Sequence, residues 1–374
     1  RGVFPLLSDS SSESATSRQV VDHVKSQTIS IGEGVIGQAA ATGQIIVVND
    51  CETDSRFSRT TAEAIPVHTM MAAPMIARGS TLGVLAVTNK RSGQIFRSED
   101  TQMLQTLSDL AAMAADLVRL ADEVGQRNRL RDELRLAHEF QLMLLPKSCP
   151  SIEGIDLAAF CRPALEVGGD FYDFIPLDNG RLGIVIADAS GKGIPGALIM
   201  ATTRSALRSE ARLSDSPKDV LIRVNDQIRS ATKASAFITM IYGILDPSNR
   251  TFTYSRAGHE PLLLCSSAKQ DISVLPSDGM ALGMVEADLF DVLEEQTVTL
   301  MEGQTLIFYT DGVVEAMNES GEEFGHGRFH DILQGSSAAS CSERLVNVVN
   351  GIGAFVSAMP QHDDITLVAV GVKA

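Results

Sequence analysis

Four short segments place aspartate beside glycine or another turn-forming residue. They are Gly168-Gly169-Asp170-Phe171-Tyr172-Asp173, Ala187-Asp188-Ala189-Ser190-Gly191-Lys192-Gly193, Tyr309-Thr310-Asp311-Gly312 and His362-Asp363-Asp364-Ile365-Thr366. Asp188 and Asp311 each close an apolar run that reads as a strand, and Asp363 and Asp364 precede another. Aspartates at strand ends can converge from distant parts of a chain. Hard divalent cations such as Mg²⁺ and Mn²⁺ take carboxylate and carbonyl oxygen. Two such ions side by side polarise a phosphoryl group and hold a nucleophile in line. Several carboxylates are needed to hold them and offset their charge. Histidine and cysteine are not required, which suits a chain with seven of the first and five of the second. Any one segment is a weak signal, because Asp–Gly is a common turn; four in one region strengthen it.

The elements that would position these residues fall into three regions. Residues 1–97 mix short apolar runs with Gly and Ser; 45–48 and 82–87 read as strands, and the Ser-rich 8–17 reads as a loop. Residues 98–145 read as helical. Ser98 is a suitable N-cap, Glu99 and Asp100 fill the first turn, and Pro146 stops the helix. Leu107, Leu110, Ala114, Leu117, Ala121 and Val124 alternate spacings of three and four, as in a coiled coil. A second stripe, Leu130, Leu134, Ala137, Gln141 and Leu144, is shifted by one, with Gly125 at the break. The expectation is two helical segments joined at a weak point. The stripe fits a parallel dimeric coiled coil or a helix packed on its own domain, and both readings stand.

Residues 146–374 carry strands at 182–187, 237–245, 252–255, 262–265, 305–309 and 366–370, with helices at 195–211, 217–231 and 343–356. Residues 246–249 read as a hairpin turn. The fold class is α+β, a sheet sandwich flanked by helices. Of a formal net charge of −16, −13 falls after residue 145. So acidic a surface repels nucleic acid and anionic membrane, and neither is expected as a partner. The odd cysteine count, without Cys-x-x-Cys, fits a reducing cytosol, so the protein is expected to be cytoplasmic. No apolar run reaches the ~18 residues that span a bilayer, and no signal peptide opens the chain. The first residue is Arg, as in a fragment of a longer protein.

In order and wording, the aspartate segments resemble the metal-dependent protein phosphatase (PPM) superfamily, in its SpoIIE/RsbU-like bacterial branch. Also matching are Leu144-Leu145-Pro146, Glu166-Val167, Ala257-Gly258-His259-Glu260-Pro261, Leu282-Gly283, and Val313 with Glu315-Ala316. The resemblance implies a β-sandwich with helices outside and two Mn²⁺ or Mg²⁺ ions at one end. By position Asp188 would bridge both ions, with the Ala189 carbonyl as a further ligand. Asp170 would orient water or a ligand. Asp311 and one of the terminal pair would hold one ion; the motif favours Asp363 and leaves Asp364 open. The catalytic set is thus Asp170, Asp188 and Asp311. The implied activity is that of a protein serine/threonine phosphatase acting on a phosphorylated STAS-type anti-sigma factor antagonist. The alternatives are a silent signalling scaffold and a small phosphoester hydrolase.

The sequence departs from the eukaryotic type, which has histidine where Ser190 stands, so the general acid is unassigned. His259 reads as a structural histidine in a Gly-His-x-Pro turn. Arg162 and Lys192 are candidates to grip phosphate, or are solvated. His326 and His330 have a metal-chelating helical spacing, but Gly325 and Gly327 flank the first, so this stretch reads as a loop.

Residues 1–97 resemble a GAF sensor domain, an antiparallel sheet with helices, truncated at its N-terminus. The matching residues are Gly34-Val35-Ile36-Gly37, Ala41-Thr42-Gly43, Asp54-Ser55-Arg56-Phe57, 71–74, Gly83-Val84-Leu85, and Asn89-Lys90 with Phe96, Glu99 and Asp100. The last group occurs both in members that bind cyclic nucleotides and in members that bind none. Cys51 could face a ligand or sit quietly in the core. The implied organisation is a sensor with an unknown ligand or signal at 1–97, a helical linker at 98–145 that supports a homodimer, and a phosphatase domain at 146–374.

Overall fold

The computed structural model describes residues 29–57, 67–231, 236–266, 271–286, 290, 292–336 and 339–373. The Ser-rich stretch 8–17 lies outside the described residues. The chain divides into two compact units, residues 1–130 and 131–374.

The first unit holds helix α1 (Gly34–Thr42) and a sheet of β1 (Ile46–Val48), β2 (Met70–Ala77) and β3 (Ser80–Thr88), in the order β1-β2-β3, all antiparallel. Arg78 and Gly79, both at positive φ, make the two-residue turn between β2 and β3, as the right-handed twist of a hairpin demands. Helix α2 (Ser98–Leu144) begins in this unit. Leu104, Ser108 and Ala112, four residues apart, form its buried stripe. The Ser108 hydroxyl donates to the carbonyls of Ala73 and Pro74. Lys90 pairs with Asp100 at 2.6 Å, and the Asn49 side chain holds both backbone groups of Phe96. Asn89 Oδ1 accepts the His68 N–H at 2.8 Å, so the Asn-Lys…Phe signature supplies internal ties of the fold. Cys51 lies in the core with Val35, Val48 and Met70, where burial pushes its thiol pKa up.

Helix α2 runs unbroken through Gly125, which corrects the expectation of two segments. One exposed glycine costs about 1 kcal/mol relative to alanine in a helix. The flanking residues are good helix formers, and that cost is too small to break 47 residues.

The second unit has two five-stranded sheets. The first runs β10 (Asp271–Leu275), β9 (Leu262–Ser266), β12 (Gln304–Tyr309), β13 (Ile365–Val372), β4 (Ile155–Arg162). The second runs β11 (Glu295–Thr299), β8 (Thr251–Ala257), β7 (Ile238–Asp246), β6 (Leu182–Ala189), β5 (Phe171–Pro176). Neighbours are antiparallel throughout. Successive side chains alternate faces in a strand. Leu182, Ile184 and Ile186 of β6 accordingly join Leu306 and Phe308 of β12 and Val368 and Val370 of β13 in one core between the sheets. Val185 and Ala187 face the other way, against α3 (Ile194–Glu210) and α4 (Pro217–Ala231). Ile307, Leu367 and Ala369 pack against α5 (Gly325–Gly335) and α6 (Cys341–Val356). The result is helix, sheet, sheet, helix, with strands apolar on both faces.

Helix α5 corrects the loop expected around His326 and His330. Phe329 and Leu333, four apart, are fully buried in the core, and that packing outweighs the glycines at the helix start. Among the described residues no helix is long and apolar enough to cross a membrane.

Candidate active site

The strand register carries the chemistry. Continuing the inward parity of β6 past Ile186 brings Asp188 to the inner face at the strand's end, opposite Thr239 of β7. Inward parity in β12 leads to Thr310, and in β13 it leads back to Thr366 and Asp364. Phe171 pairs with Ala187, Tyr309 with Leu367, and Ile365 with Arg162, so these ends all lie at one end of the sandwich.

Hydrogen bonds stitch the two sheets together there. The Thr310 amide donates to the Thr366 carbonyl at 3.1 Å, and the Thr366 amide to Thr310 Oγ1 at 3.1 Å. Thr310 Oγ1 donates in turn to Asp170 Oδ2 at 2.8 Å. Asp364 is buried and accepts three backbone N–H groups: Ala164 on Oδ1 at 2.8 Å, and Gly169 and Asp170 on Oδ2 at 2.8 and 3.2 Å. A Cβ on Gly168 would run into that carboxylate, and one on Gly169 into the Ala189 carbonyl. The glycine pair allows the acidic loop to close this tightly.

Asp363 is placed differently. Its side chain is 36% exposed and meets the Lys192 ammonium at 3.0 Å. Lys192 also donates to the His362 carbonyl at 2.9 Å. Asp363 Oδ1 accepts the Asp364 N–H at 2.9 Å, so the two neighbouring aspartates are placed differently: Asp364 is closed in by three backbone donors, and Asp363 turns its Oδ2 to Lys192.

The electrostatics follow from burial and crowding. Burial raises Asp170 well above the carboxylate range, and Asp188 and Asp364 add to the rise. Burial, then Asp311 and Asp363, push Asp188 up to about 7. Burial, then Glu315 and Asp363, push Asp311 up to about 6. Asp170 stands close enough to Asp188 for each to raise or temper the other's acidity. Such a cluster favours either protons or cations. Among the described residues no three of His, Cys, Asp and Glu already close around one point. The donor set, oxygen only and partly buried, still suits hard divalent ions.

The other candidates sort themselves. Ser190 ties its turn to Phe237: its amide donates to the Phe237 carbonyl, and its Oγ accepts the Phe237 N–H at 2.9 Å. His259 is buried, bonded through Nδ1 to Thr239 Oγ1 at 2.7 Å, and burial holds its pKa down to about 3. It is a neutral structural histidine. Arg162 bonds Gln361 Oε1 at 2.6 Å, at the rim of a pocket of about 350 Å³ that also touches Gly312 and Asp363. His326 is exposed and His330 half-buried on α5, with ring centroids 6.3 Å apart.

Asp173 and Gln141 were not singled out by the sequence. Asp173 points to the helix side of β5 and pairs with Arg204 at 2.9 Å and Arg208 at 2.6 Å, which fastens α3. Its odd parity with Phe171 and Ile175 was the available signal. Gln141 was read as part of an apolar stripe; a glutamine there was itself a hint.

The family model of Stage II sporulation protein E (SpoIIE) matches residues 178–373, and that of the GAF domain residues 4–115. The chain is 29% identical to phosphoserine phosphatase RsbU of Bacillus subtilis (strain 168) over 246 residues, 66% of this chain and 72% of that protein. It is 30% identical to protein IcfG of Synechocystis sp. over 270 residues, 65% of this chain but 42% of that protein. Among solved structures, the SiaA-PP2C domain of Pseudomonas aeruginosa superposes with a TM-score of 0.58 at 25% identity, over 65% of this chain and 97% of that domain.

Proposed function

This chain belongs to the SpoIIE family of serine/threonine phosphatases, with a GAF domain ahead of the phosphatase fold, and we propose that Asp188, Asp311 and Asp363 hold two divalent ions, Mn²⁺ or Mg²⁺, for hydrolysis of a phosphoserine or phosphothreonine protein. The observation that carries this reading is the crowding of carboxylates at one end of the sandwich, where burial and neighbouring carboxylates, Asp363 beside both, raise Asp188 and Asp311 to about 7 and 6. Two bound ions would polarise the phosphoryl group and activate the attacking water.

The chain's own residues have distinct tasks in this reading. Asp188 would reach both ions, with the Ala189 carbonyl beside it. Asp311 and Asp363 would complete the set. The three backbone donors on Asp364 support Asp363 as the ligand and Asp364 as a brace. Asp170, fixed by the Thr310 hydroxyl, would orient what binds next to Asp188. Lys192 stands on Asp363, where it can meet an incoming phosphate once a cation replaces it. Ser190 Oγ accepts the Phe237 N–H, which fixes the turn that follows Asp188.

The substrate we propose is a phosphorylated STAS-type anti-sigma factor antagonist, since the relative RsbU is named a phosphoserine phosphatase. The GAF domain would regulate through residues 98–145. Leu107, Leu110, Leu117 and Val124 leave apolar side chains exposed along α2, which supports a homodimer through that helix.

The test is Mn²⁺-dependent phosphate release from a phosphoserine STAS protein and from a chromogenic phosphate ester, repeated with Asp188→Asn and Asp311→Asn. Release from the protein, lost in both variants, is expected. Release from the ester alone would point to a small-molecule hydrolase. No release under any metal would leave a signalling scaffold.

A further inference from the structure

The last turn of α2 reaches the acidic loop through one side chain. Gln141 is buried, and its amide meets both backbone polar groups of Gly168: Nε2 donates to the carbonyl at 2.7 Å, and Oε1 accepts the N–H at 3.1 Å. The next two N–H groups, of Gly169 and Asp170, go to Asp364. Loop 164–170 is thus gripped by two side chains distant in sequence, one from each flank. Its last residue is Asp170, whose Oδ2 is held by Thr310. Tyr172 donates to the Pro146 carbonyl at 3.5 Å, and Leu144 and Leu145 pack on the core beneath α3 and α4, so the helix end that presents Gln141 is itself held.

We propose that Gln141 is a positioning residue for the metal centre, acting by pairing with the Gly168 peptide and so fixing Gly169 and Asp170 beside Ala189 and Asp188. The inference rests on the metal-site reading above. The chemistry selects glutamine. It offers a donor and an acceptor side by side, matching a peptide edge. Glutamate would set a carboxylate against the Gly168 carbonyl. Leucine would leave a buried N–H and C=O without partners, which is unfavourable for each group. Asparagine is one methylene short. No substitution at Gly168 can compensate, because any Cβ there meets Asp364.

The experiment is calorimetric Mn²⁺ binding to the full chain and to Gln141→Leu and Gln141→Glu, with hydrogen exchange of segment 164–170 and a melting curve for each. Both variants are expected to weaken Mn²⁺ binding roughly tenfold and to speed exchange in 164–170, in line with the loss of two buried hydrogen bonds. At saturating Mn²⁺ the turnover should recover most of the parent value. If Gln141→Leu does not fold, Gln141→Glu, of the same size, carries the test. Unchanged Mn²⁺ affinity in a folded variant would overturn the proposal, and faster exchange with unchanged affinity would do so as well, by making Gln141 merely structural. A parent chain that binds no Mn²⁺ would overturn the metal-site reading and this proposal together; a binding parent with indifferent variants would overturn only this one.

Discussion

The two faces of the β5–β6 pair each carry an aspartate, and they treat it in opposite ways. On the helix side Asp173 is fully buried and clasped by Arg204 and Arg208. On the inner side Asp188 lies among Asp170, Asp311 and Asp363, and its pKa rises to about 7. The residue type is the same, and Asp173 is fully buried where Asp188 is half-buried. What differs is whether the chain supplies its own cation. Where it does, the carboxylate fastens a helix; where it does not, the carboxylates are left, in the reading proposed above, to cations from solution.

The sharpest way to break this comparison is to neutralise each acid in turn. Asp188→Asn should lower phosphatase activity by roughly 10³-fold or more, as expected when a residue of a metal centre is lost. It should leave the metal-free chain folded or slightly more stable, since it removes repulsion. A destabilised Asp188→Asn with residual metal-dependent activity would erase the distinction. Asp173→Asn should do the reverse. It leaves two arginines without their shared partner, at a cost of about 3 kcal/mol, the low end for a broken buried pair because Arg208 reaches solvent. A denaturant titration measures it, and activity should fall only as far as the folded fraction.

A smaller effect separates the adjacent aspartates. Asp363→Asn should weaken Mn²⁺ binding by roughly tenfold to a hundredfold with little change in melting temperature, since it loses the half-exposed ion pair with Lys192 and keeps an amide oxygen for the Asp364 N–H. Asp364→Asn should instead cost about 1–2 kcal/mol of stability, because its oxygens hold three backbone donors. Reversed outcomes would exchange their roles.

The smallest effects are in pH. Asp188 and Asp311, raised to about 7 and 6, must lose protons to bind a cation. Mn²⁺ affinity should therefore fall as pH drops, by up to about tenfold per unit between 7 and 6 and more steeply below 6, where both carboxyls take up protons. For the metal-free chain the sign reverses. The folded state holds protons that the unfolded state, with carboxyls near 3.8, has already lost. Its melting temperature should fall as pH rises from about 4 to 7, then level off. Calorimetry across that range, with and without Mn²⁺, checks both slopes.

Much of this was legible in the residues. Long apolar runs with aspartate at one end gave β6, β12 and β13, because both faces of those strands are buried. Strands β4 and β5 escaped notice: Ile155–Arg162 and Phe171–Pro176 interleave polar residues that are satisfied only by partners far along the chain. Helix α5 was hidden by its glycines, although Phe329 and Leu333 were spaced for it. The Asp363–Asp364 ambiguity was a question of parity, and counting back from Val368 and Val370 reaches Asp364 on the inner face. Gln141 could not have been paired with Gly168, since nothing in the sequence says that a helix end and a glycine turn meet.

That parity has a consequence for how the gene can change length. Strand β6 behaves as a ruler with two marks, inside and outside. A codon gained or lost between Leu182 and Ala187 would exchange the marks, turning Asp188 outward and Ala189 inward while leaving an apolar strand that still pairs. Such a lineage would keep the fold and lose the chemistry in a single step. Insertions in the turn before β6, at Asp178–Gly180, shift nothing downstream of the strand's own register. Length variation among working relatives should therefore collect in that turn and be missing from the strand.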